Sequence, residues 1–125
     1  MSLFDDFANE KHFEGRTRFL LSLARTLPRL ADKTGAQEVH GCEAKTWLKV
    51  DMIDGQLALS GDSEARIVKG LMALLFSLYQ GKSLDEARHI DARTEFEKAG
   101  LAQFLSPSRN NGLYAMLAEI HSELG

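Results

Sequence analysis

The run Thr46-Trp47-Leu48-Lys49-Val50-Asp51-Met52-Ile53-Asp54-Gly55-Gln56-Leu57-Ala58-Leu59-Ser60-Gly61 decides the fold. Its side chains alternate with a period of two: Leu48, Val50 and Met52 share one face, and Trp47, Lys49 and Asp51 share the other. Asp54-Gly55 is a hairpin signal, because a type I′ turn needs positive φ at both central residues. Leu57 and Leu59 carry the returning strand, which Gly61 closes. A brief strand at Val39-His40 precedes the hairpin. The middle of the chain is therefore predicted to be an antiparallel sheet of about three strands, with Trp47 packing from the sheet face against a helix.

On either side the period lengthens to that of a helix. Leu3, Phe4 and Phe7 predict a short first helix. Phe19, Leu20, Leu23 and Leu27 predict a second over about Phe13 to Leu27, ended by Pro28. Residues Asp32 to Gly35 read as a loop. After the sheet, Asp62 or Ser63 is placed to cap a helix over about Glu64 to Tyr79, which Gly81 ends. Ile67, Val68, Leu71, Met72, Leu74, Leu75 and Leu78 give that helix a wide apolar arc, so it is expected to be the central core helix. Ser83-Leu84-Asp85-Glu86 and Thr94-Glu95-Phe96-Glu97 both fit the capping box and predict two short helices. Ser106-Pro107 opens the last one, with Leu113, Met116, Leu117, Ile120 and Leu124 as its stripe. Helices, a small sheet, then helices make the fold class α+β, in one domain over residues 1–125.

Bulk properties narrow the function. Hydrophobic residues at 44% and charged residues at 26% are ordinary for a globular protein. A net charge of −3 over 125 residues offers no basic field for phosphate backbones, so nucleic-acid binding is not expected. The apolar stretch around Leu71 to Leu78 is far too short for a membrane span. The acidic start Met1-Ser2-Leu3-Phe4-Asp5-Asp6 has no signal-peptide pattern. With one cysteine, these features point to the reducing cytoplasm.

That cysteine, Cys42, follows Gly41 where a helical pattern gives way to a strand pattern. It has no second cysteine with which to form an intramolecular disulfide. A free thiol titrates near 8.5, so reactivity at neutral pH needs a cationic neighbour or a helix N-terminus. His40, two residues back, would point the same way in an extended segment, and Lys45 is near in sequence. The alternative is a small, inert, buried thiol. His40-Gly41-Cys42 supplies two candidate metal ligands, short of the four a structural zinc site takes, so no metal is assigned. Gly81-Lys82-Ser83 is not a phosphate loop, because Phe76 stands where that pattern needs glycine. Arg109-Asn110-Asn111-Gly112, opening the last helix, reads either as an anion site or as simple capping. Gly61-Asp62-Ser63-Glu64-Ala65-Arg66 reads as a strand end, a cap and an acidic first turn.

Three segments together resemble the SufE/CsdE family of sulfur acceptors. Gly41-Cys42-Glu43-Ala44-Lys45-Thr46-Trp47-Leu48 looks like that family's active-site signature. Gly61-Asp62-Ser63-Glu64-Ala65-Arg66-Ile67-Val68-Lys69-Gly70-Leu71 resembles its strand-to-helix junction, and Leu105-Ser106-Pro107-Ser108-Arg109-Asn110-Asn111-Gly112-Leu113 its C-terminal motif. The order and approximate spacing also match, and the resemblance covers roughly Phe13 to Glu123.

The resemblance implies a compact α+β fold similar to iron–sulfur scaffold proteins. It also implies a pyridoxal-phosphate-dependent cysteine desulfurase, of the SufS/CsdA kind, as partner. Cys42 would accept sulfur from the desulfurase persulfide, stimulate its turnover and pass the sulfur to a downstream acceptor or iron–sulfur scaffold. No cofactor of the chain's own is implied. Asp62, Glu64, Arg66 and Arg109 would support docking or the reactive loop, while His40, Gly41 and Glu43 would tune that loop. Two departures stand out: Phe13-Glu14-Gly15-Arg16-Thr17 lacks the second aromatic of a family run, and His40 replaces a usually neutral residue.

Three other functional readings fit the residues less fully. A Cys42–His40 hydrolase or transferase would need an oxyanion hole and an orienting third residue. An iron–sulfur scaffold would need more thiolates than one. An interaction domain with an inert thiol would be insensitive to Cys42→Ala.

Overall fold

The computed structural model describes residues 2–30 and 32–125. Ten elements follow in order. They are α1 (Leu3–Asn9), α2 (Phe13–Ala24), β1 (Gln37–Glu38), β2 (Thr46–Ile53), β3 (Gln56–Ser63), α3 (Arg66–Phe76), α4 (Leu84–Arg88), α5 (Ala92–Ala99), α6 (Leu101–Phe104) and α7 (Pro107–Leu124). The strands form one antiparallel sheet in the order β1-β2-β3. The hairpin forms as its sequence requires: Ile53 pairs with Gln56, and Asp54 and Gly55 take φ of 53° and 78°.

The outer edge of β3 is closed without another strand. Leu57 exchanges backbone hydrogen bonds with Gly81 and Lys82. The Gln80 side chain bonds both the N–H and the C=O of Leu59, at 2.7 and 2.8 Å. Gly61 N–H donates to Pro28 at 3.0 Å. Alternate residues along the edge thus each have partners, and none of those partners belongs to a strand.

Helix α3 is the central core helix, buried from Gly70 to Phe76. It lies on the sheet face that carries Leu48, Leu57 and Leu59. A Cβ on Gly61 would collide with Met72 and come within 2.9 Å of the Trp47 carbonyl. A Cβ on Gly70 would collide with the Leu20 carbonyl, so α2 and α3 cross backbone to backbone. At another part of the core, Phe4 of α1 stacks with Phe96 at a ring separation of 6.0 Å, and Phe7 meets Phe104 edge to face at 5.5 Å.

Several boundaries differ from the sequence reading. Strand β1 lies at Gln37–Glu38, and of the expected pair only Val39 extends the pairing, through its N–H to Thr46. Strand β3 continues past Gly61 to Ser63, because β2 supplies partners for Asp62 and Ser63. Neither residue therefore caps α3; its N-cap is Ala65, with no side-chain bond. Helix α2 ends at Ala24 rather than Leu27, where the chain turns and Thr26 bonds the Leu23 carbonyl. Helix α3 ends at Phe76, and turns carry the chain on to Gly81 at φ 75°.

Ser83 forms its capping box, but α5 is capped by Asp91, and Thr94 sits three residues inside. Helix α6 was not anticipated. Trp47 projects to the sheet face opposite Leu48 and lies under Lys33, whose Nζ stands 4.3 Å from the ring centre. Met52 and Ile53, at the hairpin end of β2, are exposed.

The α2–α3 crossing gives a direct test. Alanine at Gly70 would gain roughly 1 kcal/mol of helix propensity. The clash is with a backbone carbonyl, which cannot rotate away, so α2 must shift. Gly70→Ala is expected to lower stability by roughly 2 kcal/mol or more, read as a lower urea midpoint. Unchanged or raised stability would contradict the close crossing.

Candidate functional site

Cys42 sits in the loop between β1 and β2, against the first turns of α7. Two glycines allow this. Gly41 adopts φ 102°, a conformation that side-chain-bearing residues rarely take, and a Cβ there would lie 3.3 Å from Ala115. Gly112 lies inside α7, where glycine costs roughly 1 kcal/mol relative to alanine. A Cβ on it would stand 3.2 Å from Cys42 Sγ. Its absence lets the thiol approach the helix backbone and donate to the Gly112 carbonyl at 3.7 Å.

The thiol forms one wall of a pocket of about 70 Å³, enough for a few water-sized guests. Ala65, Val68 and Met116 supply apolar lining, and Glu43, Ser108 and Arg109 supply polar atoms. Partial burial pushes the Cys42 thiol up from its ordinary value. At rest the sulfur is therefore a protonated thiol at neutral pH, sheltered more than activated.

A buried hydroxyl chain holds the loop. Thr46 and Ser63 are the buried polar side chains of the core, and their oxygens lie 3.0 Å apart. Thr46 donates its hydrogen to the Ala44 carbonyl at 3.0 Å. The hydrogen between the two hydroxyls must then come from Ser63. Ser63 Oγ in turn accepts from the Ala65 N–H at 3.2 Å. The chain runs from the start of α3, through β3 and β2, to the residue two after Cys42. Glu64 adds a second tie: its N–H donates to the Lys45 carbonyl at 3.0 Å, and its carboxylate accepts from the Lys45 N–H at 3.4 Å.

The expected site residues divide into two groups. Cys42, Glu43 and Arg109 meet at the pocket, and Glu64 braces its loop. Gly41 shapes the turn. His40 is exposed and borders a different groove with Ala115 and Glu119. An extended segment would have aligned His40 with Cys42, but the left-handed turn at Gly41 separates the grooves they line. Asp62 pairs with Lys69 at 3.4 Å, and Arg66 lines a separate groove. Among the described residues, no three His, Cys, Asp or Glu side chains gather as metal ligands. No helix there is long and apolar enough to cross a membrane.

Sequence reasoning missed Thr46, Ser63 and Gly112. A signal existed for Thr46, because the period of two that turns Leu48 inward also turns Thr46 inward, where a hydroxyl needs a partner. Thr46→Val is expected to cost about 1–3 kcal/mol in denaturant unfolding by stranding its partners, and Thr46→Ser to restore most of it. Equal stability of the two variants would argue against the hydroxyl chain. The sheltered thiol makes a separate expectation for pH. Because folding raises its pKa, the iodoacetamide alkylation rate of the native protein should rise with pH at a higher inflection than in the urea-unfolded protein. A native inflection at or below the unfolded one would refute the sheltering.

Known proteins resemble this chain in sequence or in fold. An uncharacterized SufE-like protein of Rhizobium meliloti is 37% identical over 97% of this chain and 91% of its own. A second, from Rhizobium etli, is 36% identical over 97% of this chain and 86% of its own. The solution structure of a hypothetical protein from Thermus thermophilus superposes with a TM-score of 0.83, covering 97% of this chain and 89% of that one. At 24% identity it shows a shared fold. Residues 1–124 match the family described as the Fe-S metabolism associated domain, and the chain belongs to that family, SufE.

Proposed function

We propose that the chain is a single-domain, cytoplasmic sulfur acceptor. In this reading Cys42 takes persulfide sulfur from a pyridoxal-phosphate-dependent cysteine desulfurase, stimulates that enzyme, and hands the sulfur on. The destination is iron–sulfur cluster assembly or another sulfur-using pathway. The observation that carries the reading is a lone, partly buried thiol in a small pocket beside Arg109, in a SufE-family chain.

The transfer follows thiol–disulfide exchange. The Cys42 thiolate attacks the outer sulfur of the donor persulfide. A new S–S bond forms as the donor's S–S bond breaks, and the donor sulfur leaves as thiolate with the bond electrons. The products are a persulfide on Cys42 and a regenerated donor cysteine. No external oxidant or reductant is consumed.

Each feature of the loop has a part in this reading. A raised thiol pKa keeps the resting cysteine protonated and slow to oxidise. Since no second cysteine exists, none within the chain can attack the new persulfide and release its sulfur as sulfide. The sheltered thiol must come forward to meet a cysteine on another protein, and in this reading Gly41, with a φ of 102° and the backbone freedom of glycine, is the hinge. Arg109 lines the same pocket, placed to orient the loop or to meet the partner. Glu43 and Glu64 shape the loop around it.

Intact mass spectrometry after incubation with L-cysteine and a cysteine desulfurase from the same source tests the reading. Wild type is expected to gain the mass of one sulfur atom, lost on reduction, and Cys42→Ser to gain none. An active desulfurase that leaves wild type unmodified would exclude the role.

A further inference from the structure

Helix α3 opens with charges of the wrong sign. A helix N-terminus carries partial positive charge and favours acidic residues in its first turn. In α3 the first turn has none; it begins with Arg66, and Lys69 follows within a turn. Across from them stand Arg25 and Arg29, at and beyond the C-terminal end of α2. With Ala24, these four cations line a single groove of about 370 Å³.

The groove's charge is largely unanswered within the chain. Lys69 pairs with Asp62 at 3.4 Å. Arg25, Arg29 and Arg66 are exposed, and among the described residues none has a carboxylate within ion-pair distance. The protein as a whole carries −3, so the groove concentrates charge against the overall sign. Mutual repulsion and the unfavourable helix end both work against the fold. A cluster of three guanidinium groups left without a carboxylate among the described residues marks a surface whose partner lies outside it.

Position and chemistry say what that partner offers. Ala65, just before Arg66, lines the Cys42 pocket, as does Val68 just before Lys69. Successive residues of the same helix thus border the thiol and the basic groove, so a protein seated over Cys42 meets the groove at its margin. Guanidinium groups engage carboxylates through two parallel hydrogen bonds, with geometry a lone ammonium lacks. We infer that the groove of Arg25, Arg29, Arg66 and Lys69 receives a carboxylate-rich surface of the protein that donates sulfur to Cys42. The inference rests on the reading of Cys42 as sulfur acceptor.

The test measures the rate of sulfur loading on Cys42 against acceptor concentration, by intact mass, with the desulfurase from the same source. Arg25→Glu/Arg29→Glu is expected to raise the half-saturating concentration roughly tenfold at low salt. The gap should close at about 1 M salt, where charges act over only about 3 Å. Lys82→Glu/Lys98→Glu changes net charge equally but lies elsewhere, and is expected to behave like wild type. Arg66→Glu separates docking from folding: it should raise the melting temperature by roughly 2 °C while weakening loading. Wild-type concentration and salt dependence in the groove variants, or equal shifts in both double variants, would overturn the groove assignment alone. Failure of wild type to load from an active donor would overturn the sulfur-acceptor reading and this inference with it.

Discussion

Helix α3 meets the sheet at Gly61 and helix α2 at Gly70, and both contacts place neighbouring atoms where a methyl group would otherwise stand. This double close approach sets the spacing of the layers around α3. With the α2 backbone against Gly70 and the Met72 side chain seated on Gly61, the first turn of α3 is positioned at the end of the β2–β3 ladder. The site uses that fixed point. Ala65 and Val68 line the thiol pocket, and the Ala65 N–H begins the hydroxyl chain that ends beside Cys42. The contacts that space the layers thereby also position the wall against which the thiol rests.

The Cys42 loop is held from three directions. Gly112 admits the sulfur to the backbone of α7, the hydroxyl chain fastens Ala44, and Glu64 fastens Lys45. On the other side of Cys42 lies Gly41, with backbone freedom that other residues lack. The loop is thus tied at Ala44 and Lys45 after the cysteine, whereas before it the nearest backbone tie is at Val39, two residues ahead of Gly41. Such asymmetry suits a side chain that swings about one end of its loop, and the firm end sets where it returns.

Periodic and local signals were the most legible in the sequence. The alternation from Trp47 to Leu59 with Asp54-Gly55 at its centre gave the hairpin, and the arc from Val68 to Leu75 gave the core helix. Ser106-Pro107 and Ser83 gave caps, since capping depends on residues a few positions apart. Boundaries set by distant partners were not legible. Asp62 and Ser63 read as caps by chemistry, but β2 pairs with them and extends the strand instead. Cys42 stood out through chemistry and family likeness, whereas Gly112 matters only because a loop 70 residues earlier packs onto it. His40 and Cys42 appeared aligned until the φ of Gly41 turned them apart. The grouping of Arg25 and Arg29 with Arg66 was likewise hidden, because it arises only when α2 crosses α3.

The outer edge of β3 is answered by the Gln80 amide, the turn at Gly81–Lys82 and the carbonyl of Pro28. Along that edge, alternate amides that would invite another chain are already occupied, so strand addition there would first require dismantling the cover. Two copies cannot zip together through it, which removes one route to ordered aggregation even at high concentration. The same closure limits the manner of recognition. Any protein approaching from that side must read side chains and surface shape, and the specificity of such a complex then lies in residue identity, where single substitutions can rewrite it.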